Sequence, residues 1–260
     1  MTDVILRTIG ISKQFGAFHA VSDVDFELRQ GQVKAIIGPN GAGKTTLFNL
    51  ISGGLSPTRG SRQFKGRDIT RLSLPQTARM GVTKTFQITR IFPDLTVFEN
   101  VRVAVQARHA TFRFWRSAYA WSDINRKALE ILEQVGLSWQ CADLASTLSH
   151  GERRYLEIGI ALATDPSVLL LDEPTAGMST AETNRCAELI QRLNRDLGLS
   201  IVLVEHDMRV VMSISDEIVV LCEGRVLASG TPQQVSDDPE VQRAYLGVER
   251  DEDRAVSHAV

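Results

Sequence analysis

Cysteine is scarce in this chain. Cys141, Cys186 and Cys222 are odd in number and too far apart for a disulfide framework or a thiolate metal site. Buried free thiols in a reducing compartment are the expectation. An excess of one charge is also missing. Lys and Arg number 29 against 31 Asp and Glu, a net charge of −2, so no basic field points to nucleic acid. Nothing approaches the roughly eighteen consecutive apolar residues that a membrane-spanning helix needs. The first residues, Met1 to Leu6, have neither a basic start nor a long apolar stretch, so no signal peptide is expected. Aromatics are sparse at 6%, yet Phe112, Phe114, Trp115, Tyr119 and Trp121 crowd into one short run. That run reads either as a packed helical core or as a surface for a protein or lipid partner. With 43% apolar residues the 260-residue chain can bury a substantial core, as one large domain or two small ones.

What is present is organised around Gly38, Pro39, Asn40, Gly41, Ala42, Gly43, Lys44 and Thr45, which fit the phosphate-binding pattern G-x-x-x-x-G-K-[ST]. The apolar run Val33, Lys34, Ala35, Ile36, Ile37 before it reads as a buried strand. The residues from Thr46 to Ser52 read as a helix stopped by Gly53 and Gly54. Glycines let the loop take positive φ and approach a ligand closely. A helix start presents N–H groups and a dipole to an anion. Lys44 supplies a mobile positive charge for phosphates, and Thr45 a hydroxyl for Mg²⁺.

Along the chain, Val4 to Ile11 and Val24 to Leu28 read as strands, the second with one wet face. Between them Phe15 and Phe18 sit in a predicted loop, where core packing is their ordinary role. Residues 61–69 suggest a polar surface strand pair, and Ser73 to Gln76 opens a short helix ended by Gly81. Helical spacing then runs from about Leu95 to Val135, through Val97, Val101, Ala104, Val105, Ala128, Leu129 and Leu132. Ser149 is a plausible helix cap, three residues before Glu152. An apolar strand, Val168 to Leu171, runs into Asp172 and Glu173. Thr180 to Leu197 is an amphipathic helix closed by Gly198, and the strand Ser200 to Val204 leads to His206. Strands over 217–222 and 225–228 follow, and Thr231 caps a last helix with Pro232 in its first position. The charged residues 249–260 read as a disordered tail. Alternating apolar strands and helices imply an α/β fold with a mostly parallel sheet, and ligands of such sheets sit at strand carboxyl ends. The phosphate loop, the Asp172–Glu173 pair and His206 all fall at such ends. In that setting Asp172 can hold Mg²⁺ and Glu173 can activate a hydrolytic water.

The ordered set of motifs over about residues 6–246 resembles the nucleotide-binding subunit of ATP-binding-cassette (ABC) transporters. Gly38 to Thr45, followed by Thr46, is similar to the Walker A loop. Gln87 stands at the Q-loop position. Leu148, Ser149, His150, Gly151 and Glu152 stand where the family has its LSGGQ signature. Leu169 to Glu173 resembles Walker B with its catalytic glutamate, Ala176 to Ser179 the D-loop, and His206 the switch histidine. The resemblance implies that Phe15 stacks on adenine, that Lys44, Gln87, Glu173 and His206 serve catalysis, and that Thr45, Gln87 and Asp172 hold Mg²⁺. It implies a RecA-like P-loop NTPase core with a small antiparallel β part over 1–248 and a helical subdomain inserted at about 88–163. It also implies a second ABC ATPase subunit, identical or not, whose ATP is capped in trans by Ser149, His150, Gly151 and Glu152. Two residues depart from the pattern: His150 replaces the first signature glycine, and Ser179 replaces the D-loop aspartate.

A narrower resemblance to the branched-chain amino-acid importer branch lies in residues 84–92, in the long segment between Asn100 and Lys127, and in the ending Gly230, Thr231, Pro232, Val241, Tyr245, Leu246, Gly247. The expectation is an ATPase on the cytoplasmic face of the inner membrane, with transmembrane permease subunits as partners and, indirectly, a solute-binding protein. A lipopolysaccharide-type exporter shares the ending, and a non-transport cassette protein is a further alternative. Such proteins typically carry two cassettes or a long coiled coil, and this chain carries neither.

Overall fold

The computed structural model describes residues 3–85, 91–109 and 118–244, with the backbone alone for 109 and 118–121. In chain order these form β1 (Val4–Phe15), β2 (Phe18–Arg29), β3 (Val33–Ile37), α1 (Lys44–Ser52), β4 (Arg59–Phe64), β5 (Arg67–Asp68), α2 (Leu74–Met80), β6 (Val82–Lys84) and α3 (Val97–His109). Then come α4 (Ala118–Gln134), α5 (His150–Leu162), β7 (Val168–Asp172), α6 (Thr180–Leu197), β8 (Ser200–Val204), α7 (Met208–Ile214), β9 (Glu217–Cys222), β10 (Arg225–Gly230) and α8 (Pro232–Asp237). The chain divides into two compact units, Met1–Leu74 with Ser200–Val260, and Pro75–Leu199.

The first unit is built on strands of two kinds. An antiparallel sheet has the order β2-β1-β4-β5. In β2 the even positions Val24, Phe26 and Leu28 are buried and Asp25, Glu27 and Arg29 exposed, as the alternation predicts. The other strands run β10-β9-β3-β8, with β3 parallel to both β8 and β9. Every residue of β3 and of β8 is buried, which suits strands covered on both faces. Ile36 lies beside Val204 and Ile37 beside Val220, so these strands end at a common edge.

Two expectations fail in this unit. Residues 13–18 are not a loop. β1 runs to Phe15, β2 starts at Phe18, and Gly16 (φ 58°) makes the tight turn between them. Phe15 and Phe18 sit at the hairpin tip, 48% and 64% exposed, so neither packs in the core. The 61–69 pair is also less superficial than expected. Arg62 is fully buried, donating to Ile51 O at 3.0 Å and to Leu72 O. An arginine there satisfies a carbonyl at the end of α1 that the helix itself cannot. Its burial lowers the guanidinium pKa to about 10.

In the second unit β6 and β7 pair in parallel, Val82 beside Val168 and Lys84 beside Leu170. Val101, Ile131, Val135 and Leu156 are among the residues that fill the core around α3, α4 and α5. Leu129, expected on the inner face, is exposed. Capping boxes begin α5 at Ser149 and α6 at Ser179, and in the first unit α8 at Thr231. Thr96 and Glu99 exchange the same pair of bonds before α3. Such a cap is worth about 1 kcal/mol. Of the cysteines only Cys186 is buried; Cys141 and Cys222 are half-buried. Among the described residues no helix is long and apolar enough to cross a membrane. Gln87, the aromatics Phe112, Phe114 and Trp115, and the residues from Tyr245 onward lie outside the described residues.

Candidate nucleotide-binding and hydrolysis site

In the first unit the loop after β3 is held by close backbone approach. A Cβ at Gly38 would lie 2.2 Å from Leu221 O, and one at Gly43 (φ 96°) 2.4 Å from Ala20 O. No other residue fits at either place. The loop is further stitched to the β9–β10 turn, since Gly224 N donates to Ala42 O at 3.0 Å and Ser22 N to Gly224 O at 2.8 Å. Of the expected nucleotide contacts, Gly38, Ala42 and Lys44 are buried, Pro39, Gly43 and Thr46 half-buried, and Asn40, Gly41 and Thr45 exposed.

No side chain caps α1 at Gly43. The α5, α6, α7 and α8 starts all have one. The α1 terminus thus keeps its dipole for an anion rather than for a side chain. Lys44 lies over the loop, its Nζ donating to Gly38 O at 2.6 Å and Pro39 O at 3.0 Å. Phe15 carries the Lys13 ammonium 5.2 Å from its ring centroid. His206 is exposed just past β8, its N–H donating to the buried Glu205 carboxylate at 3.1 Å. Gly38 and His206 therefore follow the carboxyl ends of adjacent parallel strands, the place where such sheets bind ligands.

In the second unit β7 ends at Asp172, which is buried and faces Lys84 of β6. Lys84 Nζ lies 3.2 Å from Asp172 Oδ2. The next residue, Glu173, is half-buried with φ 48°. A left-handed glutamate costs on the order of 1 kcal/mol or more, and such outliers cluster at functional sites. Its carbonyl accepts from Ala176 N at 3.2 Å and from Arg154 Nη2 at 2.8 Å.

The first turn of α5 lies against the same stretch. Ser149 and Glu152 cap each other, and Gln140 Nε2 donates to Glu152 Oε1 at 2.9 Å. Burial pushes the Glu152 carboxyl up, but the hydrogen bonds from Ser149 and Gln140 outweigh it and hold the pKa below its ordinary value. A Cβ at Gly177 would be 3.5 Å from His150 Cε1, and one at Gly151 3.1 Å from Glu182 Oε1. The two departures from the resemblance, His150 and Ser179, are thus neighbours of one α5–α6 contact, and Ser179 caps α6 there. The sequence reading missed Lys84, Arg154 and the Ser179 cap. Only the last had a signal, the S-x-x-E spacing of Ser179 and Glu182.

A buried strand, a glycine-shaped loop and an uncapped helix opening on a lysine and a threonine define a P-loop nucleotide-binding protein. Comparison with known proteins is consistent with that class and narrows it. Residues 21–176 match the ABC transporter family, and residues 225–251 match the branched-chain amino acid ATP-binding cassette transporter family. The chain is 42% identical to the high-affinity branched-chain amino acid transport ATP-binding protein BraF of Pseudomonas aeruginosa, across 95% of this chain and 99% of that one. It is 41% identical to LivG of Escherichia coli, a protein of the same description, across 95% and 99%. A crystal structure of an ABC transporter's ATP-binding cassette in its ADP conformation is similar, with a TM-score of 0.83 and 31% identity across 95% and 100%. The chain belongs to the ABC transporter family and is an ATP-binding-cassette ATPase.

Proposed function

We propose that the chain energises import of branched-chain amino acids, or similar small solutes, through separate permease subunits. The observation that carries the cargo is the match of residues 225–251 to the branched-chain amino acid cassette family. In this reading Lys44 and the loop N–H groups bind the β- and γ-phosphates, and Phe15 stacks on adenine. Thr45 and Asp172 offer the hard oxygen donors that Mg²⁺ prefers, the Asp172 carboxylate being buried with the Lys84 ammonium as its counter-charge. When bound, Mg²⁺ supplies charge neutralisation on the phosphates. Glu173 orients and activates the attacking water, and His206 attends the γ-phosphate. Ser149, His150, Gly151 and Glu152 cap ATP on a second cassette subunit. The subunit sits peripherally on the cytoplasmic face of the inner membrane, where a solute-binding protein outside feeds the permease.

The test is uptake of labelled leucine by cells deleted for this chain, with ATP hydrolysis by the purified protein alongside. Wild type restores uptake and hydrolyses ATP, whereas Glu173→Gln binds ATP and does neither. Hydrolysis without leucine, isoleucine or valine uptake would refute the cargo. Near wild-type hydrolysis by Glu173→Gln would refute the role of Glu173.

A further inference from the structure

Arg154 stands out among the buried charges of the second unit. Its side chain and that of Glu157 are 9% and 7% exposed, and Arg154 Nη1 bonds Glu157 Oε2 at 2.8 Å. As a source of stability the pair makes little sense. Taking two ions out of water is costly, and well-packed apolar residues often serve a fold as well or better. Glu157 Oε1 is buried with no hydrogen bond at all, so the pair is not even fully satisfied. What an apolar replacement would lack is the second arm of the guanidinium fork. Arg154 Nη2 donates to Glu173 O at 2.8 Å and lies 3.4 Å from Asp172 O. Glu157, one turn along α5, fixes one arm so that the other is aimed.

The carbonyl it reaches belongs to the residue with the left-handed backbone. Glu173 at φ 48° is held in a conformation that non-glycine residues avoid, and such a conformation persists only where the surroundings over-determine it. Two donors converge on its carbonyl, Ala176 N from the following turn and Arg154 from α5. The carboxylate's direction follows from that backbone, since φ sets where the Cα–Cβ bond points.

We propose that Arg154 is a positioning residue for Glu173, and that through it the signature helix α5 sets the aim of the carboxylate that activates water. The proposal rests on the role given to Glu173 above. The same helix begins at His150, whose ring lies against Gly177, so its first two turns hold both ends of the 173–177 segment. A shift of α5 on engaging the partner's nucleotide is then carried to Glu173 within one chain.

The experiment uses the full chain with Arg154→Met, Arg154→Lys and Glu157→Gln, each alone and with Glu173→Gln. Arg154→Met is expected to lower kcat roughly 10- to 100-fold, since small misplacements of a catalytic group cost that much. The ATP KM should change less than about twofold, because phosphate and base contacts are untouched. Arg154→Lys keeps the charge but not the fork and should fall nearly as far, and Glu157→Gln should fall less. In the Glu173→Gln background none of the three should lower the residual rate further. Without nucleotide, the Ala176 amide, which shares the Glu173 carbonyl, should exchange faster in Arg154→Met than in wild type. Should Arg154→Met fail to fold, Arg154→Lys carries the test. A folded variant with wild-type kcat and unchanged Ala176 exchange overturns the proposal, as does an equal loss with and without Glu173→Gln. Near wild-type activity of Glu173→Gln alone would instead overturn the reading of Glu173, while faster Ala176 exchange would still report the Arg154 contact.

Discussion

Lys84 Nζ lies 3.2 Å from Asp172 Oδ2, and the two side chains are 9% and 3% exposed. They come from neighbouring parallel strands, Lys84 from the last position of β6 and Asp172 from the last of β7. The lysine is therefore the counter-charge of Asp172, buried with it.

Removing one member leaves the other charge stranded, which typically costs about 3–5 kcal/mol. Lys84→Met should therefore be destabilised by about that much in urea unfolding. Lys84→Met combined with Asp172→Asn should recover part of the loss, because neither charge is left alone. A Lys84→Met protein as stable as wild type would mean that the pair contributes nothing.

Phe15 gives the opposite expectation, a residue that matters to ligand and not to fold. At 48% exposure its truncation to Ala should change stability by less than about 0.5 kcal/mol. Loss of ring stacking worth about 1 kcal/mol should raise the ATP KM roughly fivefold, with Tyr or Trp restoring it. An unchanged KM in Phe15→Ala would remove adenine from its role.

The acid limb of the stability curve should depend on two caps. Hydrogen bonds from Ser149 and Gln140, opposed by burial, hold Glu152 below the ordinary 4.5, and hydrogen bonds from Ser179 do so for Glu182. Both carboxylates therefore bind protons less readily folded than unfolded. Their contribution is complete above about pH 4.5 and is lost as the pH falls through the lower folded values. Melting temperatures from pH 7 to pH 3 should fall less steeply for the Glu152→Gln, Glu182→Gln double variant than for wild type. Parallel curves for the two proteins would count against the linkage.

How much of this was legible before the structure depended on the range of the interaction. The phosphate loop, the Ser149 and Thr231 caps and the bounds of α6 follow from residues within a few positions of one another, where turn, cap and period rules operate. Phe15 and Phe18 were misplaced because the two-residue turn at Gly16 looks like loop in either reading; only strand pairing tells them apart. Arg62, Lys84 and Arg154 have no local signature. Each is a charge whose partner lies on a different element, at Ile51, Asp172 and Glu173. In a one-dimensional pattern a buried arginine and a solvated one look the same.

The crowding of Gly38 and Gly43 against Leu221 O and Ala20 O has a consequence for affinity. The loop is packed against backbone of its own chain, so part of its ordering is supplied by the fold and less is left to be done at binding. The loop's conformation is thus a property of the β9–β10 hairpin as much as of its own residues. Weakening that hairpin, far in sequence from the glycines, lets the loop relax. The injury then surfaces as poor ATP affinity before it surfaces as unfolding.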